Sequence, residues 1–207
     1  MGSDSKAIVG SVLVSVGTIT AAIGSMPSNY IKSNVRDDLI LLGNVLQAEG
    51  NAIDAEAKGT VLRSVGKEIT ASGNLTVITG LVFDIRKEAS YKLFITGNWI
   101  QALGLAVNIG DAIDLPPFSG QSENIVGSIT QFIGNSLQAI GWSEALKNIR
   151  KDENDNENKQ KKIGYYYEDY YKKNNGQSES ESLVATGSWI QAIGSVISVI
   201  GVIKEVT

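Results

Sequence analysis

The stretch Gly97-Asn-Trp-Ile-Gln-Ala-Leu-Gly104 decides how this chain folds, because its eight-residue shape keeps returning. It recurs as Gly43-Asn-Val-Leu-Gln-Ala-Glu-Gly50, Gly66-Lys-Glu-Ile-Thr-Ala-Ser-Gly73, Gly134-Asn-Ser-Leu-Gln-Ala-Ile-Gly141 and Gly187-Ser-Trp-Ile-Gln-Ala-Ile-Gly194. The seven-residue glycine interval continues to Gly80 and Gly201 and backwards to Gly127, and a diverged copy opens the chain at Gly10, Gly17 and Gly24. Seven residues are two helical turns less about 20°, so such glycines line up as a stripe on a helix. With glycine at zero, Gln or Thr falls near 40°, Asn, Lys or Ser near 100° and Ala near 140°. The bulky residues, Trp99, Ile100 and Leu103 in the central copy, gather between about 200° and 300°. Each helix then has a thin glycine edge, a strip of small polar residues and a wide apolar face. Period-two alternation, the mark of a strand, is absent.

Glycine inside a helix costs about 0.5–1 kcal/mol relative to alanine, and sixteen of the 22 glycines stand on these stripes. The offset expected is close approach of a second helix backbone, with dispersion contacts and Cα–H···O bonds along the line. Gln47, Gln101, Gln138 and Gln191 flank the edge. They either bridge to the neighbouring helix or stand in solvent, and the sequence leaves both open. The packing residues expected are Gly10, Gly17, Gly43, Gly50, Gly66, Gly73, Gly97, Gly104, Gly127, Gly134, Gly187 and Gly194, with Trp99, Trp189, Gln101 and Gln191 beside them.

The fold class that follows is all-α: about six helices in an antiparallel bundle or a stacked array of helical hairpins. The first helix is expected over 8–24, after Ser3, Asp4 or Ser5 as N-cap, and the second over 32–57, after the turn at Met26-Pro-Ser-Asn29. Lys58-Gly-Thr60 reads as a break in which Thr60 caps a third helix reaching Arg86. Ser90 is the expected cap of a fourth helix ending near Asp114, and Leu115-Pro-Pro-Phe-Ser-Gly120 separates it from a fifth that ends near Lys147. A sixth runs from Ser182 to about Lys204. Residues 1–148 thus form five repeat helices, 149–181 a charged Tyr/Lys/Asn-rich insertion, and 182–207 a last repeat helix on the same array. The insertion, which includes Tyr165-Tyr-Tyr-Glu-Asp-Tyr-Tyr171, reads as a solvated loop, with a tyrosine-built docking strip as the other reading.

Composition narrows the chemistry. A net charge of −4 argues against a nucleic-acid partner. Without Cys there is no disulfide framework or zinc thiolate site, and without His the commonest general base and metal ligand is missing. Asp37 and Asp38 point about 100° apart on a helix, so they do not converge as an acid–base pair. Asp111 and Asp114 share a face in a last helical turn and read as solvated rather than as an ion site. Glycines at this interval do not make a phosphate loop. The chain is expected to be no enzyme, with no cofactor, no metal and no small-molecule substrate. Trp99 and Trp189, at equivalent repeat positions, are expected in the core or between helices.

The runs Thr96-Gly-Asn-Trp-Ile-Gln-Ala-Leu-Gly104, Thr186-Gly-Ser-Trp-Ile-Gln-Ala-Ile-Gly194 and Gly134-Asn-Ser-Leu-Gln-Ala-Ile-Gly141 resemble a family of repetitive proteins from Bacillus and related spore-formers. That family is built from tandem G-N-W-I-Q-A-I-G units and carries a domain of unknown function. The resemblance spans the repeat cores, and the first helix and the charged insertion depart from it. It implies an all-helical bacterial repeat protein and brings no site residues.

The function expected is structural and non-catalytic: glycine-edged helices self-associating with further copies of the chain into an oligomer, filament or layer. Terminal helices poor in charge support this, because unpolar ends of a repeat stack favour continued assembly. The alternative is a membrane-embedded or membrane-inserting helical protein, pore-forming included. Leu183 to Ile203 is uncharged and of spanning length, but Glu49, Asp54, Arg63, Lys67 and Glu68 interrupt the second and third helices. The uncharged run from Ile8 to Gly24 follows a poor n-region, Asp4 cancelling Lys6, and reads as a repeat helix rather than a signal peptide. The location expected is therefore the cytoplasm, or the spore or cell surface after non-classical release.

Overall fold

The computed structural model describes residues 2–28, 30–157 and 179–207. These form six α-helices: α1 (Ser3–Ser25), α2 (Ser33–Ala55), α3 (Val61–Val82), α4 (Lys87–Asp114), α5 (Gln121–Glu157) and α6 (Glu179–Val206). No strand occurs among the described residues. The all-α class is as the glycine interval predicts.

Helix ends follow local chemistry. Thr60 caps α3, its hydroxyl accepting from the Arg63 amide at 3.0 Å, which satisfies one of the orphan donors of a first turn. Ser90 does not cap α4. The helix starts earlier because the Arg86 carbonyl already accepts from the Ala89 and Ser90 amides at 2.8 and 3.1 Å. The third helix stops at Val82 rather than Arg86, the chain turning extended at Phe83. α1 begins at Ser3, with Gly2 at the cap position and no side-chain cap. Ser3 is used elsewhere, its hydroxyl accepting from the Lys58 amide. α5 continues past Lys147 to Glu157, and α6 begins at Glu179. Of the expected insertion at 149–181, residues 158–178, with the tyrosine run, lie outside the described residues.

Three antiparallel hairpins, α1/α2, α3/α4 and α5/α6, are zipped along their glycine lines. A Cβ built on Gly17 would lie 2.6 Å from the Gly43 carbonyl oxygen, and one on Gly43 2.6 Å from that of Gly17. Gly10 and Gly50 face each other in the same way at 2.6 Å. Gly73 with Gly97 (2.7 Å), Gly134 with Gly187 (2.6 Å), and the pairs Gly66–Gly104 and Gly127–Gly194 repeat the arrangement. Each step of seven along one helix is answered by a step of seven back along the other, so the sequence period fixes the register. Such separations leave no room for any side chain, and the intrinsic cost of glycine is offset by backbone-to-backbone contact. Gly120, at φ +85°, needs glycine for a second reason, since its left-handed turn also packs against the Gly201 carbonyl.

The hairpins close into a ring. Besides its hairpin partner, each helix backbone packs beside one other, α2 on α3, α4 on α5 and α6 on α1; across the middle, among the described residues, only side chains reach one another. One end of the ring carries the α1–α2 and α3–α4 turns and the start of α6; the opposite end carries the α2–α3 and α4–α5 connections.

The faces are inverted relative to a water-soluble bundle. Asn44, Gln47, Asn51, Asn74, Asn98, Gln101, Asn135, Thr18, Ser188, Gln191 and Ser195 are buried. Val12, Val16, Leu42, Val45, Leu75, Leu103, Ile133, Ile140, Ile193 and Ile200 are exposed. Trp99 and Trp189, expected in the core or between helices, stand on the outside, 46% and 38% exposed. Glycine contact draws the helices together, so the interior arc beside the glycine pairs is filled mostly by small residues and amides, and the bulky 200°–300° face turns out. The apolar cluster that is buried is small: Val77, Tyr91, Phe94, Ala145 and Leu146, at the end where α6 begins.

Candidate functional site

The residue that follows a stripe glycine is the main polar lining of the ring. Asn44, Asn51, Asn74 and Asn98 each donate Nδ2 to the carbonyl four residues back, at 2.8–3.2 Å. Ser188 does the same to Val184 at 2.9 Å. Part of each polar group is therefore met within its own helix, which makes it tolerable in a packed interior.

Four glutamines meet at mid-height. Gln191 Nε2 donates to Gln47 Oε1 at 2.9 Å and to Gln101 Oε1 at 3.3 Å, and Gln191 Oε1 accepts from Gln138 Nε2 at 2.8 Å. Gln47, Gln101 and Gln191 come from the second helix of each hairpin, each four residues after a paired glycine, so three repeats deliver one carboxamide apiece to a common point. Thr18 and Ser195 close the α1–α6 side of this layer with a 2.7 Å hydroxyl–hydroxyl bond. The glutamines bridge helices rather than standing in solvent.

On one side of this clasp lies a cup of about 100 Å³ to which all six helices contribute. Its floor is Asn44, Gln47, Asn98, Gln101, Gln138 and Gln191. Its wall is Val77, Leu81, Val184 and three rings, with Trp142 at 5.1 Å from Tyr91 and 4.8 Å from Phe94, centroid to centroid. Arg36, Asp37, Lys87 and Glu181 stand at its mouth. Arg36 is itself buried and donates Nε to the Gly24 carbonyl at 3.0 Å, which occupies a carbonyl at the end of α1.

On the other side, a charge network occupies the ring near its opposite end. Asp54, fully buried, receives Arg63 Nη2 at 3.3 Å on Oδ1. The Lys67 ammonium lies 2.7 Å from Oδ2, an ion pair rather than a directed hydrogen bond. Arg63 also meets Glu205 at 3.0 Å, tying α3 to the end of α6. Of the charges that interrupt the second and third helices, Asp54 is enclosed and paired, whereas Glu49 and Glu68 are exposed.

The aspartates singled out by the sequence do not gather. Asp111 is buried and accepts from the Thr60 hydroxyl at 2.7 Å, while Asp114 is exposed. Among the described residues no group of three carboxylates is placed to hold a metal ion. Sequence reasoning missed the cup and its aromatic wall. Tyr91, Phe94 and Trp142 stand in the repeat register, seven residues before Asn98, seven before Gln101 and one after Gly141, but carry rings where the other copies carry small polar side chains. The lining amides had a signal, the recurrence of Asn, Ser or Thr after glycine.

By length and composition, α1, α4 and α6 are apolar enough to cross a membrane. No curated protein and no solved structure matches the chain. A family model does match, over residues 5–199, and the chain belongs to that family, the Family of unknown function (DUF6944).

Proposed function

We propose that this is a non-catalytic membrane-embedded protein whose apolar outer face meets lipid and whose polar interior is sealed by the glutamine clasp. The observation that carries the reading is the inversion of faces: amides and hydroxyls inside, Val, Ile, Leu and Trp outside on all six helices. A helix of 23 residues such as α1 is about 34 Å long, enough for a hydrocarbon core of about 30 Å. Glycine-lined contacts suit association in lipid, where there is no hydrophobic drive between helices and close packing and interhelical hydrogen bonds take over. Exposed hydroxyls are adapted to the same solvent: Thr20, Ser72, Thr76, Thr79 and Thr130 each donate to the carbonyl four residues back, at 2.8–2.9 Å, so none of these hydroxyls turns its donor to hydrocarbon. The repeat lettering fits a bacterial origin among spore-formers.

Self-association is the second reading, and one observation favours it. Glu49 and Glu68 are exposed on adjacent helices within the apolar belt, where carboxylates against lipid are costly and a second copy would cover them. The glycine lines themselves are occupied within the chain, so assembly would use the bulky face instead. Flotation with phospholipid vesicles tests the proposal: the chain is expected to rise with the vesicles and to leave them only in detergent. A chain that stays at the bottom of the gradient as a 22 kDa monomer would refute both readings.

A further inference from the structure

The floor of the cup is lined by hydrogen-bonding groups that nothing among the described residues meets. Gln47 and Gln101, 3% and 2% exposed, offer their Oε1 atoms to Gln191, yet neither Nε2 has a hydrogen-bond partner. Asn44 and Asn98 spend Nδ2 on their own helices and leave Oδ1 unmet. Two donors and two acceptors, from α2 and α4, thus line one cavity. A carboxamide has one donor group and one acceptor, and whichever way each amide is turned one edge of it remains open. Phe94, one turn from Asn98 on α4, and Trp142, one turn from Gln138 on α5, line the same cavity.

We infer that the cup is a binding site for a small planar compound carrying a primary or cyclic amide, the amide edge on the asparagine–glutamine floor and the ring against Phe94 and Trp142. A donor–acceptor edge is the complement of such a floor, whereas a hydrocarbon would leave all four groups unpaired and a carboxylate would meet only the donors. Flat rings add stacking or edge-to-face contact with the aromatic wall. The cup, about 100 Å³, is smaller than the apolar cavity of about 150 Å³ that holds benzene, so the amide edge and part of one ring fit inside, with the remainder toward the mouth. The cup lies within one chain, so the inference does not depend on what covers the outer face.

The test uses the full chain in mild detergent micelles, with benzamide as probe and toluene and benzoate as comparators, followed by ligand-observed NMR and tryptophan fluorescence. Benzamide is expected to saturate one site, at least about five-fold tighter than either comparator, the equivalent of about one net hydrogen bond. Ala145→Phe fills the cup from a residue that is 2% exposed and lines it, and should weaken benzamide at least ten-fold with the helical circular dichroism retained. Should that variant unfold, Ala145→Leu serves. Asn98→Leu should erase the preference over toluene while toluene still binds. Absence of saturation in the folded parent protein, equal binding of toluene, or indifference to filling at Ala145 would each overturn the inference.

Discussion

Replacing Gly17 by alanine adds one methyl group, and its effect can be worked from the α1–α2 seam. The new Cβ would lie 2.6 Å from the Gly43 carbonyl oxygen and 2.9 Å from the Gln47 amide nitrogen. Both are backbone atoms that no rotamer change removes, so the helices must part by roughly 0.8 Å to reach an ordinary contact. A gap of that size forfeits about a third of each well of about 0.15 kcal/mol, and some 40 atom pairs along the seam lose about 2 kcal/mol. Alanine returns about 1 kcal/mol in helix propensity, leaving a net loss near 1 kcal/mol. Gly110→Ala is the internal control, since a Cβ there meets nothing within 4 Å; the same propensity gain should then appear undiminished. Thermal unfolding followed by circular dichroism in one detergent should therefore lower the midpoint for Gly17→Ala and raise it for Gly110→Ala, about 2 kcal/mol apart. Pairing Gly17→Ala with Gly43→Ala should cost less than the sum, because one separation accommodates both. If Gly17→Ala stabilises as much as Gly110→Ala, close approach is not what the glycines are for.

Gln191→Leu removes the hub of the clasp and strands carboxamides on three helices; about 2–3 kcal/mol should be lost, read as the unfolding midpoint, and an unchanged midpoint would mean the clasp is wet. Asp54→Ala leaves Lys67 facing the interior without its partner, and about 3 kcal/mol should go with it, whereas Glu205→Ala, at a more exposed pair, should cost under about 1 kcal/mol. At the ring's end the Lys6 ammonium donates to Glu56 at 2.6 Å and holds that carboxyl below its ordinary range. The bond is intact above the ordinary carboxylate range and lost as pH falls through the depressed value, so an NMR titration should place the Glu56 midpoint below that of a free glutamate, and Lys6→Met should return it.

Much of the fold was legible because a seven-residue glycine interval admits few structures. It set the helices and the expectation that their glycine edges meet a second backbone; which glycines face one another, Gly17 with Gly43 among them, came with the structure. Thr60 was legible as a cap because a hydroxyl before a helical run has one good use there. The direction of the faces was not. An angular map tells which residues share a side, but whether the wide side meets a core or the surroundings depends on how many helices close the ring and how tightly. Trp99 and Trp189 were misplaced for that reason. The Asn and Ser that follow the glycines at 44, 51, 98 and 188 held the missing clue, since a polar residue beside a contact line must itself be near the neighbouring helix. The cup was beyond sequence reasoning, because Tyr91, Phe94 and Trp142 meet only once α4 and α5 are side by side.

The contact of the outer face with lipid is open to direct measurement. Trp142→Phe leaves Trp99 and Trp189, both on that face, as the only indoles. In vesicles whose acyl chains carry bromine, most of their fluorescence should be quenched. Unquenched emission, red-shifted as in water or blue-shifted as beneath another copy of the chain, would contradict the account.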